Sequence, residues 1–307
     1  MDRHLEVFMK VVEKQNFSKA GEELHMTQPA VSQYIKALEE EVGTQLLERS
    51  NRYVYMNLAG EIVYRHAKEI SALYTKMKTS LDDLTKQAKG PIFIGASYTF
   101  GEYILPRVIA KLRNQYPQII PNVRIHNTEQ IIELVAAHEI DIGIIEGSFH
   151  NDSLYTEVIS EDEMVIVASK EHPFIVDPTK VRSITDLRDE IWILRERGSG
   201  TRQAAEKLFN LYNMNPKHIM EFGNIQLIKE SVEEGLGISL LSKWAIEKNQ
   251  LDGYIGTIPV LELPFKRTFS IVTHTLYQTK TLRTFTEVLM ETVENSDNIS
   301  SGSNVIR

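Results

Sequence analysis

One segment of the sequence combines helical periodicity with side chains that can read the edges of DNA bases. From Thr27 to Glu39 apolar residues recur at helical spacing, which predicts a helix with one buried face. Glutamine can pair with adenine through two hydrogen bonds, serine can bond several base edges, and lysine reaches guanine or phosphate. The residue types on the outer face therefore suit contact with the major groove. That face consists of Gln28, Ser32, Gln33 and Lys36.

Shorter helical patterns precede this segment. Leu5, Phe8 and Val11 recur with helical spacing, and Ser18 is a favourable N-cap for a short second helix. Gly21 inside that second helix predicts that another helix packs closely against it. Two short helices joined by a tight turn form a helix-turn-helix, whose second helix enters the major groove. A merely solvated helix face is the alternative, and this context favours DNA contact.

Two arginines follow at the tip of a predicted β-hairpin. Arg49 and Arg52 lie between the apolar pair Leu46-Leu47 and the alternating stretch 53–58. Arginine suits phosphate groups or the narrow minor groove. We therefore expect residues 1–58 to form a winged helix-turn-helix.

Three predicted strand ends after residue 90 carry residues that suit a small anion. Gly95–Thr99 and Asn127–Glu129 each follow a strand pattern, and Arg195–Arg202 joins a strand to a long helix. Gly198 and Gly200 let backbone N–H groups converge, while the neighbouring hydroxyls and arginines add hydrogen bonds and positive charge. A Gly-Ser-Gly turn is often only a helix cap, so the prediction rests on the coincidence of three such ends.

Strand and helix patterns alternate from residue 90 onward, which predicts a parallel sheet covered by helices. The length of 90–293 suits two lobes. In open α/β sheets, ligands bind at the carboxyl ends of the strands. The apolar periodicity ends near Val293, so the polar stretch 294–307 is predicted to be a disordered tail.

Residues 59–89 are predicted to form one long linker helix that ends at Lys89-Gly90-Pro91. Its apolar residues alternate spacings of three and four, as the seam of a coiled coil does. Packing against its own domain is the alternative, but no neighbouring helical pattern is available to cover the stripe. We therefore predict a dimeric coiled coil. The predicted seam consists of Ala67, Ile70, Tyr74, Met77, Leu81, Leu84 and Ala88.

Composition excludes several classes of protein. The chain has no cysteine, so disulfides, thiolate metal sites and a cysteine nucleophile are excluded. The nine histidines show no metal-binding spacing, and we expect no metal and no cofactor. No signal peptide or membrane-spanning run is evident, so a cytoplasmic location is expected. The net charge of −8 is unusual for a DNA-binding protein, but residues 1–90 are neutral, with 13 basic and 13 acidic residues.

The first 60 residues closely resemble the LysR-type family of bacterial regulators. The resemblance rests on Asn16–Ala20, Thr27–Ser32, Ile35–Glu39 and Arg49 through Gly60, and more loosely on Val232–Leu241. It implies a two-lobed effector domain like that of periplasmic solute-binding proteins, with lobe I (90–160 and 265–293) and lobe II (161–264) joined by two crossovers near Ser160-Glu161 and Leu263-Pro264-Phe265. It also implies a homotetramer built as a dimer of dimers. The patterns and the resemblance together give as DNA-binding residues Thr27, Gln28, Pro29, Ser32, Gln33, Lys36, Arg49 and Arg52. They give as effector-binding residues Ser97, Tyr98, Thr99, Asn127, Thr128, Ser199, Gly200, Thr201 and Arg202.

The sequence therefore predicts an α/β protein that regulates transcription by binding promoter DNA and sensing a small, anionic effector. A small-molecule receptor would explain the lobes but not the helix-turn-helix. A serine hydrolase would use Ser199, yet no histidine spacing or Gly-x-Ser-x-Gly elbow supports it. A purely architectural DNA-binding role would leave the lobes without a purpose. We expect no enzymatic activity.

Overall fold

The structure, a computed structural model, describes residues 2–49, 54–83, 88–147, 149, 153–180, 183–274 and 279–302. The chain divides into two compact units, one with residues 1–85 and 137–139 and the other with 86–136 and 140–307. Within the described residues, no helix is long and apolar enough to cross a membrane. Within the same ranges, no group of His, Asp or Glu side chains is arranged to hold a metal ion.

The first unit opens with three helices and a short antiparallel hairpin. Each helix begins after a residue whose side chain accepts a backbone N–H of the first turn, namely Asp2, Asn16 and Thr27. The prediction of Ser18 as a cap was wrong, because the Asn16 side-chain oxygen already accepts the Lys19 N–H at 3.0 Å. The elements are α1 Arg3–Lys14, α2 Phe17–Leu24, α3 Gln28–Val42, β1 Leu47–Arg49 and β2 Val54–Met56.

Helix α3 is fixed in the unit by its apolar face. Val31 and Ile35 are fully buried, and Leu38 is almost so. A Cβ at Gly21 would lie 2.6 Å from the Met26 carbonyl oxygen, so glycine is required for the tight turn that leads to α3. The predicted close approach at Gly21 is confirmed, although the backbone of the turn makes it more than the neighbouring helix does.

The linker helix α4 spans Leu58–Asp83. Ala67 is buried in its own unit, whereas three later seam residues are exposed on the surface of that unit. Residues 84–87, which include the predicted seam residue Leu84, lie outside the described residues, and the structure does not describe the side chain of Leu81. The exposed fractions are 46% for Ile70, 37% for Tyr74 and 49% for Met77.

The second unit contains the remaining strands and helices. The strands are β3 Gly90–Ser97, β4 Ile119–His126, β5 Ile142–Glu146, β6 Tyr155–Ser169, β7 Ile191–Arg195, β8 His218–Phe222, β9 Ser239–Ser242, β10 Ile255–Thr257 and β11 Phe265–Thr273. The α-helices are α5 Leu105–Gln115, α6 Thr128–Ala136, α7 Pro173–Val176, α8 Gly200–Leu211, α9 Ile225–Glu233, α10 Lys243–Leu251 and α11 Lys280–Gly302. A π-helical turn, Phe100–Ile104, leads into α5.

The main sheet of this unit has the strand order β10-β6-β11-β5-β3-β4, and β9 also pairs with β6. The predicted parallel pairing holds for β3 with β4, for β3 with β5 and for the separate pair β7–β8. It fails for β6 and β11, which run antiparallel to each other and to their other neighbours. Strand β6 contains the first predicted crossover and β11 begins at the second, so the chain passes between the lobes in opposite directions and the two strands pair antiparallel. The limits of the lobes themselves stay predictions.

The C-terminal helix differs from the sequence-based expectation. Helix α11 continues to Gly302, beyond Glu294, where we predicted a disordered tail to begin. The polar stretch contains no proline or glycine before Gly302, so nothing in the backbone stops a helix that has already formed. Residues 303–307 lie outside the described residues.

Candidate DNA interface and effector site

Helix α3 presents the predicted DNA-reading face to solvent. Gln28, Pro29, Gln33 and Lys36 are exposed, and Ser32 is half-buried. The Gln28 side-chain amide donates a hydrogen bond to the Ser32 hydroxyl at 3.0 Å, one turn further along the helix. This bond holds the amide on the exposed face. The polar groups that we expect to meet base edges therefore lie together.

The other predicted DNA contacts differ in their roles. Thr27 caps α3 by accepting a backbone N–H. Lys36 lies 3.5 Å from Glu40, and its side chain is 76% exposed, so this weak surface pair can exchange for a phosphate contact. Arg49 is the last residue of β1, whereas Arg52 lies outside the described residues.

A buried ion pair lies where strands of the second unit meet. Glu146 ends β5, Arg267 is on β11, and their side chains are 2% and 3% exposed. Arg267 Nη1 donates to Glu146 Oε2 at 2.6 Å, and Arg267 Nε donates to Asp162 Oδ2 at 2.7 Å. Because Asp162 is on β6, one guanidinium links three neighbouring strands.

Two of the predicted effector-binding threonines surround this pair. The Thr99 backbone N–H donates to Glu146 Oε1 at 2.8 Å, and the Thr201 hydroxyl donates to Glu146 Oε2 at 3.2 Å. Arg267 donates to both threonine hydroxyls, at 2.9 Å for Thr99 and 3.0 Å for Thr201. The predicted lobe limits assign Thr99 to lobe I and Thr201 to lobe II, so we expect these contacts to join the two lobes.

The start of α6 contributes further contacts. The Thr128 hydroxyl donates to the backbone carbonyl of Glu146 at 3.2 Å. The Asn127 side chain caps α6 with its oxygen, and its amide donates to Glu196 of lobe II at 3.2 Å. The carbonyl of Gly198 accepts a backbone N–H from the first turn of α6 at 3.1 Å. These contacts join the start of α6 to the segment 196–198 that precedes α8.

The N-terminus of α8 faces the same cluster. Ser199 precedes the helix and is 2% exposed, yet its side chain makes no capping hydrogen bond within the described chain. Gly200 lies so close to Glu146 that a Cβ there would overlap the Glu146 backbone. The Ser97 hydroxyl, at the end of β3, is buried and lies close enough to Glu146 to lower the pKa of that carboxyl. Free N–H groups at a helix N-terminus favour negative charge, and here the adjacent negative group is Glu146.

The surroundings shift the pKa values of the two buried carboxylates, Glu146 and Asp162, in opposite directions. Burial raises the pKa of Glu146, but the charge of Arg267 and the hydrogen bond from Thr99 outweigh it, so the pKa lies below its ordinary value. At Asp162 burial prevails over the charge of Arg267 and raises the pKa. The surroundings therefore favour the ionised form of Glu146 and disfavour that of Asp162.

Two other predicted effector residues lie apart from this hydroxyl cluster. The guanidinium of Arg195 lies 4.4 Å from the centre of the Tyr98 ring and is paired with Glu196 at 2.7 and 2.8 Å. The guanidinium of Arg202 contacts carboxylates on α8 and β8, so the structure does not bring it to the cluster. The positive charge in the cluster belongs to Arg267.

Sequence reasoning missed the charged centre of the site. Glu146 directly follows the apolar stretch 142–145, so a carboxylate at the carboxyl end of a buried strand was a usable signal. Asp162 and Arg267 gave no comparable signal, because Arg267 lies 105 residues from Asp162 and 121 residues from Glu146.

Comparison with known proteins decides the family. Residues 3–61 match the bacterial regulatory helix-turn-helix protein, lysR family, and residues 85–294 match the LysR substrate binding domain. The chain belongs to the LysR family. It is thus a LysR-type transcriptional regulator with a DNA-binding helix-turn-helix and an effector-binding domain. The predicted family, fold class and general function are confirmed, and the family is one of regulators.

Relatives of this LysR-family chain include regulators from several bacteria. The HTH-type transcriptional regulator CysL of Bacillus subtilis is 38% identical over 268 residues, which cover 87% of this chain and 89% of CysL. The HTH-type transcriptional activator CmpR of Synechocystis is 33% identical over 267 residues, which cover 87% of each protein.

Solved LysR-family structures share the fold. The regulatory domain of Synechocystis CcmR in complex with 2-PG is 27% identical, has a TM-score of 0.62, and covers 67% of this chain and 99% of that domain. Full-length CbnR complexed with its target DNA has a TM-score of 0.72 at 18% identity and covers 95% of this chain and all of CbnR. The likeness to CbnR therefore shows the fold alone.

Replacing Arg267 with methionine should destabilise the second unit by about 3–5 kcal/mol, because two buried carboxylates would lose their countercharge. Urea unfolding followed by circular dichroism measures the loss. The matched control is Lys266→Met, since Lys266 pairs with Glu161 at the exposed surface and should leave stability nearly unchanged. Equal stability of the two variants would contradict the role assigned to Arg267.

Proposed function

We propose that this regulator binds a small anion between its two lobes and changes its affinity for promoter DNA in response. The observation that carries the proposal is the convergence of hydroxyl and N–H groups from both lobes on one buried point. Two of these groups, the Thr99 N–H and the Thr201 hydroxyl, already donate hydrogen bonds to a carboxylate, which is the chemistry that an oxyanion requires. The proposed contacts are Ser97, Thr99, Asn127, Thr128, Ser199, Gly200 and Thr201, with Tyr98 at the edge.

The relatives support the same class of ligand. The CcmR regulatory domain was solved with a small molecule, 2-PG, and it is similar to almost the whole effector-binding domain of this chain. We propose that ligand binding alters the relative position of the lobes and that the linker helix carries the change to the DNA-binding unit. A ligand can do so only if it binds one arrangement of the lobes more tightly than the other.

We also propose that the working form is a homotetramer, a dimer of dimers, in the cytoplasm, and that it has no enzymatic activity. The exposed apolar side chains on α4 support a coiled-coil dimer, because an apolar stripe of this kind is unfavourable in water. A two-fold dimer would present two α3 helices to a two-fold related DNA site.

Replacing Thr201 with valine should weaken anion binding about 10- to 100-fold, because a charge-assisted hydrogen bond is lost. Affinity for DNA without ligand should stay nearly unchanged. Calorimetry on the full chain with a panel of inorganic oxyanions and small carboxylic acids, paired with DNA titrations, measures both. Thr286→Val is the control, since its hydroxyl bonds only within α11. If Thr201→Val binds the same anion as tightly as the wild type, the cleft lies elsewhere.

Replacing Gln28 with alanine should cost about 1–3 kcal/mol of binding free energy at particular base pairs only. Arg52→Ala should instead weaken binding to all DNA sequences, because it removes a phosphate contact. The slope of the logarithm of the binding constant against the logarithm of the salt concentration should become shallower by about one. Fluorescence anisotropy with single-base variants of the operator separates the two effects. A uniform loss across all variants for Gln28→Ala would show that Gln28 does not read bases.

Replacing Met77 with lysine should split the proposed dimer, because the new charge would be buried in the coiled-coil seam. Thr75→Lys adds the same charge to the exposed helix away from the seam and serves as the control. Light scattering gives the mass of each variant. An unchanged mass for Met77→Lys would refute the assignment of α4 as the dimer contact.

A further inference from the structure

A carboxylate of the protein itself lies at the proposed anion site. Glu146 accepts the Thr99 N–H and the Thr201 hydroxyl, which are two of the donors that we assign to the effector. The backbone and Cβ of Glu146 also pack directly against Gly200, the first residue of α8. Any anion that binds these donors must therefore lie beside a negative charge.

The nearby cations do not offset that charge. Arg267 is shared between Glu146 and Asp162, and it is buried with both of them. Arg195 makes two hydrogen bonds to its neighbour Glu196. The Lys229 ammonium is acted on by the negative charges of Glu102 and Glu233. Arg267, Arg195 and Lys229 are thus already matched by carboxylates of the protein.

The charge balance distinguishes between two kinds of anion. A fully ionised oxyanion has only acceptor oxygens, so it would face the Glu146 carboxylate with no hydrogen between them. Two like charges a few ångströms apart in a partly buried site repel each other strongly. An oxyanion that carries an acidic proton can instead donate an O–H bond to Glu146, and charge-assisted bonds of this kind are short and strong.

We propose that Glu146 is the specificity-determining residue of the effector site and accepts a hydrogen bond from an acidic proton of the effector. The inference rests on the proposed function, since it concerns the same cleft. It assigns the effector to oxyanions that keep an exchangeable proton near neutral pH, such as phosphate, carbonate or sulfite. Sulfate and nitrate, which have no such proton under these conditions, are excluded.

The test uses the full-length chain and calorimetry at neutral pH with phosphate, carbonate, sulfite, sulfate and nitrate. The wild type should bind at least one proton-bearing anion, and should bind it at least a hundredfold more tightly than sulfate. Glu146→Gln keeps the size of the side chain and replaces the carboxylate with an amide that can donate. It should bind sulfate at least tenfold more tightly than the wild type does. It should also lose most of the wild-type preference for the proton-bearing anion over sulfate.

Asp162→Asn is the matched control, because Asp162 pairs with Arg267 but its other partner is Ser242 rather than Thr99 or Thr201. It should keep the wild-type preference. Circular dichroism confirms that each variant is folded. If Glu146→Gln does not fold, the wild-type comparison decides alone: a hundredfold preference supports the inference, and equal binding of sulfate and phosphate overturns it.

The outcomes separate this inference from the proposed function. If an anion binds between the lobes but Glu146→Gln keeps the wild-type preference against sulfate, the role of Glu146 is wrong and the anion site stands. If neither the wild type nor any variant binds any of the five anions, an inorganic oxyanion is not the effector and the inference fails. In that case, binding of a small carboxylic acid that is lost in Thr201→Val would still uphold the proposed function.

Discussion

The sensing half of this molecule depends on one guanidinium group, that of Arg267. It donates hydrogen bonds to carboxylates on both neighbouring strands and to threonine hydroxyls from both lobes. A buried charge of this kind is stable only when its partners are in place, because the loss of one partner leaves another charge uncompensated. The arrangement of the strands and helices around Arg267 therefore rests on a small set of polar contacts as well as on apolar packing.

The same contacts explain how a small ligand can act on a large protein. The donors around Glu146 come from both lobes, so an effector that shares or displaces them alters the contact between the lobes directly. The start of α8 has no side-chain cap among the described residues, so its first N–H groups provide hydrogen-bonding capacity for a ligand. Because cores and interfaces tend to have discrete packed arrangements, a local exchange of hydrogen bonds can select between two positions of the lobes.

The parts that sequence predicted well are those set by neighbouring residues. The buried face of α3 and the polar face opposite it follow from local periodicity. The polar residues where strands end and helices begin, Ser97, Thr128 and Thr201, follow from turn chemistry. The parts that it missed depend on contacts that are distant in the chain. Arg267 lies more than a hundred residues along the chain from its carboxylate partners. The antiparallel pairing of β6 with β11 likewise joins two segments that are distant in the sequence. No local pattern contains that information.

Hydrogen–deuterium exchange on the full chain, with and without an oxyanion that calorimetry shows to bind, tests the central claim most directly. The claim is that the effector acts at the cluster of Glu146 and Arg267. It predicts altered protection in three segments at once, around residues 97–101, 145–147 and 198–203, which belong to both lobes and meet at this cluster. Changes confined to one lobe, or located away from all three segments, would contradict it.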